Sequence, residues 1–267
     1  MYAFQYRRPS SVEEALELAA ADEEAKYLAG GMTLIPALKH RLSSPSQLID
    51  VARLAHLQRC ERIDGDTQTL WRIGAAVRHA EVAAHPGLAQ DLPALTALAA
   101  GIGDPQVRAR GTIGGSVANN DPAADYPSAL LALNAVVITN RRRLGAQDFF
   151  QGMFSTALED QEMIFAVEFP IPKRAAYAKF PHPATGYAMA GVFVAQHLAG
   201  DWRVAVTGVG AGVFRWVAAE EAIAAGDPVP ALERDDLMED MHAPGSYRAH
   251  LASVMLAKAR GELAGGV

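Results

Sequence analysis

The sequence has 267 residues, of which half are apolar and one-fifth are charged, so it is long enough for one large or two smaller domains with a buried core. The formal net charge of −6 excludes a general electrostatic attraction to nucleic acid or anionic lipid. No run approaches the roughly 18 apolar residues of a membrane span. The first residues also lack the apolar core of a signal peptide.

Cysteine content limits the redox chemistry. Cys60 is the only cysteine, so the chain forms no internal disulfide, which is typical of a reducing, cytoplasmic location. An iron–sulfur cluster usually needs four thiolates, and the eight histidines show no tight metal-ligand spacing. We therefore expect any redox role to use a bound organic cofactor.

Strand and helix signals alternate in the first part of the chain. Ser11 and Glu14 have the spacing of a capping box, and apolar residues at 12, 15, 16 and 19 predict a helix behind it. Short strands are predicted at 26–29 and 47–51. Between them, Thr33 is expected to cap a short helix over 34–41.

From residue 57 onward the pattern predicts a hairpin and then mixed elements. Strands at 60–63 and 69–73 flank a turn at 64–66, and further strands are expected at 136–139, 163–169, 177–180, 188–196 and 203–209. Helices are expected at 79–84, 92–100, 128–135, 218–225 and 247–263. His79 and Glu81 are expected at the surface. The polar, glycine-rich connection at 101–126 is too long for an ordinary loop, which favours a functional role.

The first candidate site is the segment 28–36, which carries the pair Gly30-Gly31. Glycine permits positive φ and close approach of another group. Between a strand and a helix, free amide N–H groups hold a phosphate, aided by the helix dipole. A structural turn explains the same pair, and the sequence alone leaves both interpretations open.

The second candidate site, at 110–125, gathers three glycines, two hydroxyls, two amides and two carboxylates. It buries too little apolar area to form core, but it suits a ligand with phosphates and hydroxyls. We expect its amides and Thr112 to face a diphosphate and Asp125 to accept from ribose or ribityl hydroxyls. The alternative is a solvated loop in which Asp125 caps the helix that begins at Tyr126.

Two such loops favour a dinucleotide, and we expect the peptide N–H groups near positions 30 and 114 to converge on one pyrophosphate. The Walker pattern and a well-placed GxGxxG are absent from the sequence, and the glycine-rich segment 208–212 is interpreted as a turn.

Asp121 and Asp125 lack a third ligand for a metal. The cations beside the loops either offset phosphate charge or are solvated; they are Lys39, Arg41, Arg108 and Arg110.

Both loops together resemble the FAD-binding medium subunit of the xanthine dehydrogenase and carbon monoxide dehydrogenase family, the molybdenum hydroxylases. Residues 28–36 are similar to its AGG-x-[ST]-L-x-P loop, and residues 103–115 with 121–125 are similar to its D-P-x-V-R-x-x-G-T-I-G-G…D-P-A-A-D block. Later landmarks match at 149–152, 162–164, 177–180 and 241–248, so the resemblance covers essentially the whole chain. Met32 departs from a frequent polar residue, and Ser116 from a frequent asparagine.

The resemblance implies an α+β fold with a PCMH/vanillyl-alcohol-oxidase-type FAD-binding domain in two subdomains. A C-terminal α+β domain of the carbon monoxide dehydrogenase flavoprotein type is expected to follow it. We place the FAD-binding domain at residues 1–173, with subdomains at about 1–56 and 57–173. The C-terminal domain is placed at residues 174–267.

The resemblance also implies non-covalent FAD with its diphosphate between the two glycine loops. It assigns no catalytic residue and no metal ligand. Lys179 and Tyr187 are expected nearest the isoalloxazine. By position, the implied cofactor-binding residues are Leu28, Ala29, Gly30, Gly31, Met32, Thr33, Leu34, Ile35, Ile102, Gly111, Thr112, Ile113, Gly114, Gly115, Ser116, Asp121, Asp125, Ile164, Phe165 and Lys179.

In such complexes a large partner subunit oxidises the substrate at a molybdopterin cofactor, and a small partner subunit carries two 2Fe–2S clusters. FAD in the present chain is then expected to pass electrons to an external acceptor such as a quinone or NAD, in a dimer of heterotrimers. Two alternatives stay open. One is a stand-alone FAD oxidoreductase acting directly on a small substrate, and the other is a scaffold of the same fold that has lost FAD.

Overall fold

The N-terminal part of the chain forms a small parallel sheet. The computed structural model describes residues 1–65 and 67–265. The first elements are β1 (Gln5–Arg7), α1 (Val12–Ala20), β2 (Lys26–Leu28), α2 (Leu34–Lys39) and β3 (Gln47–Asp50), with strand order β1-β3-β2. Ser11 caps α1 by accepting from the Glu14 amide, as the capping box predicts. Thr33 occupies the cap position of α2 but makes no side-chain cap bond, so that detail of the prediction is wrong.

The central part of the chain builds a five-stranded antiparallel sheet and a group of short helices. After a 3₁₀ turn (Ala55–Gln58), the elements up to α8 are β4 (Cys60–Ile63), β5 (Leu70–Gly74), α3 (His79–Ala84), α4 (Pro86–Asp91), α5 (Pro93–Ala100), α6 (Pro105–Arg108), α7 (Ile113–Asn119) and α8 (Tyr126–Ala132). The remaining elements of this part are β6 (Val136–Thr139), β7 (Arg143–Gly145), α9 (Ala146–Phe149), β8 (Phe150–Gly152), β9 (Ser155–Thr156) and β10 (Ile164–Pro170). The sheet order is β4-β5-β10-β6-β7, and β8 pairs with β9 alone.

The C-terminal part of the chain is a four-stranded antiparallel sheet with helices on both faces. Its elements are β11 (Arg174–Pro181), β12 (Ala188–Gln196), β13 (Trp202–Thr207), β14 (Phe214–Arg215), α10 (Val217–Ala225) and α11 (Gly245–Gly265). Helix α11 packs against β11 and β12, while α8 packs against β12 and β13. Both faces of β12 are therefore buried, which explains its unbroken apolar sequence. In the part of the chain that the structure describes, no helix is long and apolar enough to cross a membrane.

Each of the three larger sheets falls within one of the predicted segments 1–56, 57–173 and 174–267. The cores are nevertheless continuous across residue 173, because Phe193, Ala195 and Ala205 of the third sheet pack into the core of the second segment. The division into separate domains stays a prediction.

The connection at 101–126 differs from the sequence prediction because two short helices, α6 and α7, lie within it. Asp104 caps α6 by accepting from the Val107 amide at 2.8 Å. Thr112 caps α7 by accepting from the Gly115 amide at 3.2 Å. Gly114 and Gly115, which made this stretch look like a loop, are thus in the first turn of α7. The segment 208–212 is a turn with an isolated bridge, as interpreted from the sequence.

Candidate functional site

One large cleft opens between the three parts of the chain. Its volume is about 720 Å³, and it is bounded by residues 25–34, by 111–125 and by the turn 185–187. A volume of this size lies within the usual range for cofactor sites. The two glycine loops singled out from the sequence therefore face one cavity. Of the predicted cofactor-binding residues, all line it except Ile35, Ile113, Phe165 and Lys179.

The loop after β2 presents a row of free amides to this cleft. Gly31 has φ +73°, a left-handed conformation that favours glycine, and its carbonyl accepts from the Ile35 amide at 3.0 Å. Within residues 1–65 and 67–265, the backbone N–H groups of residues 30–34 have no hydrogen-bond acceptor. Consecutive unpaired amides around a left-handed residue form an anion-binding concavity. This geometry suits a pyrophosphate.

Tertiary hydrogen bonds hold part of the second glycine segment. The Gly114 amide donates to the Ala75 carbonyl at 2.9 Å, and the Ile113 amide donates to the Val77 carbonyl at 3.0 Å. The expectation that the Gly114 N–H faces a phosphate is therefore wrong, because tertiary contacts already engage it. Glycine is required at 114 by packing: an added Cβ would lie 2.4 Å from the Ala75 Cβ.

The two segments touch at Gly30. A Cβ added there would lie 2.2 Å from the Arg110 carbonyl oxygen and 2.8 Å from the Gly111 Cα. The second segment thus supports the first by direct backbone contact. The two loops therefore do meet at one cleft, and among the residues described the free amides that line it include those of residues 30–34 and that of Thr112.

Asp125 is buried at the N-terminus of α8 and makes no side-chain cap bond there. Its carboxylate accepts from the Tyr177 hydroxyl at 2.5 Å and pairs with the Lys179 ammonium at 2.9 Å. Lys179 also donates to the Gly101 carbonyl at 2.8 Å and to the Gly186 carbonyl at 3.0 Å. Three protein oxygens therefore engage all three N–H donors of Lys179, which ties the turns at 101–103 and 185–187 together behind the cleft.

The other three predicted residues that lie outside the lining are accounted for by packing. Ile113 is in the core of the central part, Phe165 packs edge-on against His56 with ring centroids 5.6 Å apart, and Ile35 is half-buried. None of the four flanking cations lines the cleft. Arg108 instead donates to the Ile102 and Gly103 carbonyls. Among the described residues there is no group of three or more His, Cys, Asp or Glu that could hold a metal ion.

Several lining residues were missed by the sequence analysis, notably His79, Tyr27 and the loop 158–163. His79 is only 5% exposed, so its predicted surface position is wrong. Its amide donates to the Gly111 carbonyl at 2.9 Å, and its ring lies 5.4 Å from that of Tyr126. The local sequence predicts the helix that begins at His79. The burial of His79 depends on contacts with residues that are distant in sequence, so local patterns do not reveal it.

Glu162 lines the cleft and anchors the loop 158–163. Its carboxylate accepts from the Arg142 guanidinium at 2.9 Å, from the Thr139 hydroxyl at 2.6 Å and from the Glu159 amide at 2.8 Å. Burial alone would raise the pKa of Glu162, but these hydrogen bonds outweigh it and lower the pKa to about 2. The charged form is therefore the one that holds the loop.

Lowering the pH should weaken the hydrogen bonds by which Glu162 holds the loop 158–163. The folded pKa of Glu162 lies below its ordinary value of 4.5, so its contribution to stability is full above that value and is lost as pH falls toward 2. We expect Glu162→Gln to reduce the free energy of unfolding at pH 7 by about 3 kcal/mol. Urea unfolding from pH 7 to pH 3 should show a flatter pH dependence for this variant. Glu159→Gln, at a more exposed position, is the control, and equal curves for Glu162→Gln and wild type would contradict the assignment.

The residues of the cleft fit FAD. Free amides at 30–34 suit the diphosphate, and Asp121, Asp125 and Thr112 also line the cleft. Burial raises the pKa of Asp121. Apolar groups for flat rings line the remaining walls; they are Leu28, Val51, Leu57, Ile102, Leu158, Met163 and Ile164.

Comparison with known proteins agrees with this geometry. Residues 2–172 match the family described as the FAD binding domain in molybdopterin dehydrogenase. The medium subunit of nicotine 6-hydroxylase from Paenarthrobacter nicotinovorans is 34% identical, over 95% of this chain and 95% of its own length. The carbon monoxide dehydrogenase medium chain of Afipia carboxidovorans is 31% identical, over 96% and 95%.

Solved structures show the same likeness. Carbon monoxide dehydrogenase from Hydrogenophaga pseudoflava, in a form lacking the Mo-pyranopterin moiety, superposes with a TM-score of 0.86 at 31% identity. The match covers 97% of this chain and 96% of that one. The family and the α+β fold implied by the sequence motifs are confirmed. The chain belongs to the FAD-binding medium subunits of the molybdopterin-dependent dehydrogenases.

Proposed function

We propose that this chain carries electrons through non-covalent FAD, from two 2Fe–2S clusters in a small partner subunit to an external acceptor such as a quinone or NAD. The observation that carries the proposal is the row of unpaired amides at 30–34 facing a cleft of dinucleotide size. When bound, FAD exchanges electrons singly or in pairs, which links one-electron clusters to two-electron acceptors. The protein's own part is to bind, orient and partly enclose that cofactor.

The cysteine content of this chain and the names of its relatives support the partner subunits in this proposal. One cysteine is too few to ligate a 2Fe–2S cluster, so we place the clusters in another chain of the complex. Relatives include proteins named as medium chains and one named as a subunit of a dehydrogenase complex. We extend this to a large molybdenum subunit and a small iron–sulfur subunit, assembled as a dimer of heterotrimers.

The location forms part of the same proposal. Cys60 is half-buried, and burial raises the pKa of its thiol to about 11. A thiol that stays protonated at neutral pH is a poor nucleophile and ligand. Its solitary occurrence, which allows no internal disulfide, supports a reducing cytoplasm as the working compartment.

Flavin binding is tested with the full chain expressed alone and titrated with FAD. We expect visible flavin absorbance, about one FAD per chain, and complete release of the flavin by acid, since the link is non-covalent. A folded chain that never takes up FAD would favour the scaffold alternative. Bleaching of the flavin by a small substrate, with no other protein present, would favour the stand-alone oxidoreductase.

Assembly is tested by affinity purification of the tagged chain from its native host. We expect two further subunits, with iron and molybdenum detected by metal analysis of the purified complex. Mixing the substrate of the complex with the intact assembly should bleach the flavin, while the chain alone should stay oxidised. Recovery of the chain from cells without an iron-containing partner would contradict the electron-transfer role.

A further inference from the structure

His79 combines burial with an unpaired nitrogen at the wall of the cleft. The side chain is 5% exposed and lies against Tyr126, and its backbone amide is fixed by the Gly111 carbonyl. Among the residues described, neither the His79 Nδ1 nor the Tyr126 hydroxyl has a hydrogen-bond partner. Buried polar atoms in folded proteins are usually paired, so this group requires an explanation.

The opposite edge of the ring faces the second glycine segment. A Cβ added to Gly111 would lie 2.6 Å from the His79 Nε2 and 2.8 Å from its Cδ2. Both residues line the cleft. The glycine thus keeps the Nε2 edge uncovered, whereas Nδ1 is enclosed in the core.

The protonation state follows from these surroundings. Burial lowers the pKa of His79 to about 4, and the nearby Arg108 charge acts in the same direction, so the ring is neutral at pH 7 with a single N–H. A proton on Nδ1 would be a buried donor without an acceptor, and orphaned donors are rarer than orphaned acceptors. The proton therefore resides on Nε2, on the side of the cleft.

We propose that His79 is a cofactor-binding residue whose Nε2–H donates a hydrogen bond to an acceptor oxygen of bound FAD. The assignment rests on the proposed flavin function. Within the described residues the protein offers no acceptor to Nε2, whereas FAD carries pyrophosphate, hydroxyl and carbonyl oxygens. A neutral donor fixed beside Gly111 complements the free amides at 30–34, which approach the same cleft from the other glycine loop.

The tautomer is tested on the unmodified full chain. With ¹⁵N-labelled histidine and bound FAD, the His79 signals at pH 7 should be those of a neutral ring protonated at Nε2. The Nε2–H proton should become observable, or shift, when FAD is added. The spectrum of His79→Gln identifies the signals by their loss. A charged ring at pH 7, a proton on Nδ1, or an Nε2–H signal insensitive to FAD would overturn the proposal.

Affinity provides the second test. His79→Met removes the donor at similar size and should raise the Kd for FAD about tenfold or more. His79→Gln keeps an N–H near the Nε2 position and should stay within about threefold of wild type. Wild-type affinity in the methionine variant, or equal weakening in both variants, would overturn the proposal. If the methionine variant does not fold, the glutamine variant and the tautomer measurement decide.

Two spectroscopic signals identify the acceptor oxygen. A changed ³¹P shift of bound FAD in His79→Met places it on the pyrophosphate, and a changed flavin absorption band in the same variant places it on the ring system. No change in either, with affinity weakened only in the methionine variant, places it on a hydroxyl of FAD. Failure of wild-type chain to bind FAD would instead remove the proposed function, so the two failures are distinguishable.

Discussion

Gly30→Ala should leave a folded chain that no longer retains FAD. The added Cβ would lie 2.2 Å from the Arg110 carbonyl oxygen and within 2.8 Å of the Gly111 Cα, and both are backbone atoms. No side-chain rotation relieves such a contact, so the loop 30–34 must move away from the second glycine segment. Its free amides are then displaced, and the preorganised site for the pyrophosphate is lost.

The measurement is the ratio of FAD to protein after gel filtration, with circular dichroism to verify the fold. Gly261→Ala in α11 is the matched control: a Cβ there meets nothing within 4 Å among the described residues. Because alanine is the better helix former, the control should keep its flavin and gain about 0.5–1 kcal/mol of stability. Wild-type flavin content in a folded Gly30→Ala chain would contradict the role of residues 30–34.

Local patterns predicted many of the elements, and tertiary contacts explain the remainder. The strands Val136–Thr139 and Ala188–Gln196 have the bounds expected from their apolar runs, and the hairpin of β4 and β5 follows its turn signal. The helices α4, α6 and α7 were missed because each is short and carries few apolar residues. The pairing of β10 between β5 and β6 could not be predicted, because nothing local specifies partners so distant in sequence.

The candidate site likewise combines features that local patterns predict with contacts that only the folded chain reveals. Motif spacing placed most of the predicted residues around one cleft, because glycine and carboxylate positions are local features of the two loops. It could not reveal that the Ala75 carbonyl occupies the Gly114 amide, or that Gly111 and Tyr126 enclose His79. Those facts depend on which segments meet after folding. They remove the Gly114 amide from the candidate phosphate-binding groups and show that the second loop also supports the first loop.

Lys179→Met should destabilise the fold by about 3–5 kcal/mol, because it removes the counter-charge of a buried carboxylate. The side chain of Asp125 is 4% exposed and that of Lys179 is 10% exposed, so water compensates little for the loss. The variant also frees the Gly101 and Gly186 carbonyls, which loosens the turns 101–103 and 185–187 beside the cleft. Weaker FAD binding should accompany the lower stability in urea unfolding.

The pH dependence of this loss separates charge from packing. Burial raises the pKa of Asp125 in the native chain, while Lys179 and the Tyr177 hydroxyl oppose the rise. Without Lys179 the pKa of Asp125 in the folded chain rises further above its unfolded value. The contribution of Asp125 to stability is therefore greatest at low pH and is lost as pH increases through the folded pKa. Lys179→Met should therefore be closest to wild type near pH 5 and furthest from it near pH 8.

Neutralising the partner should recover part of the loss. Asp125→Asn combined with Lys179→Met removes both charges but keeps an oxygen that accepts from Tyr177, so the double variant should be more stable than Lys179→Met at pH 8. If the double and single variants unfold at the same urea concentration at every pH, the ion pair is not what holds these turns. The recovery at high pH therefore decides whether Lys179 acts through its charge on Asp125 or only through the volume that it fills.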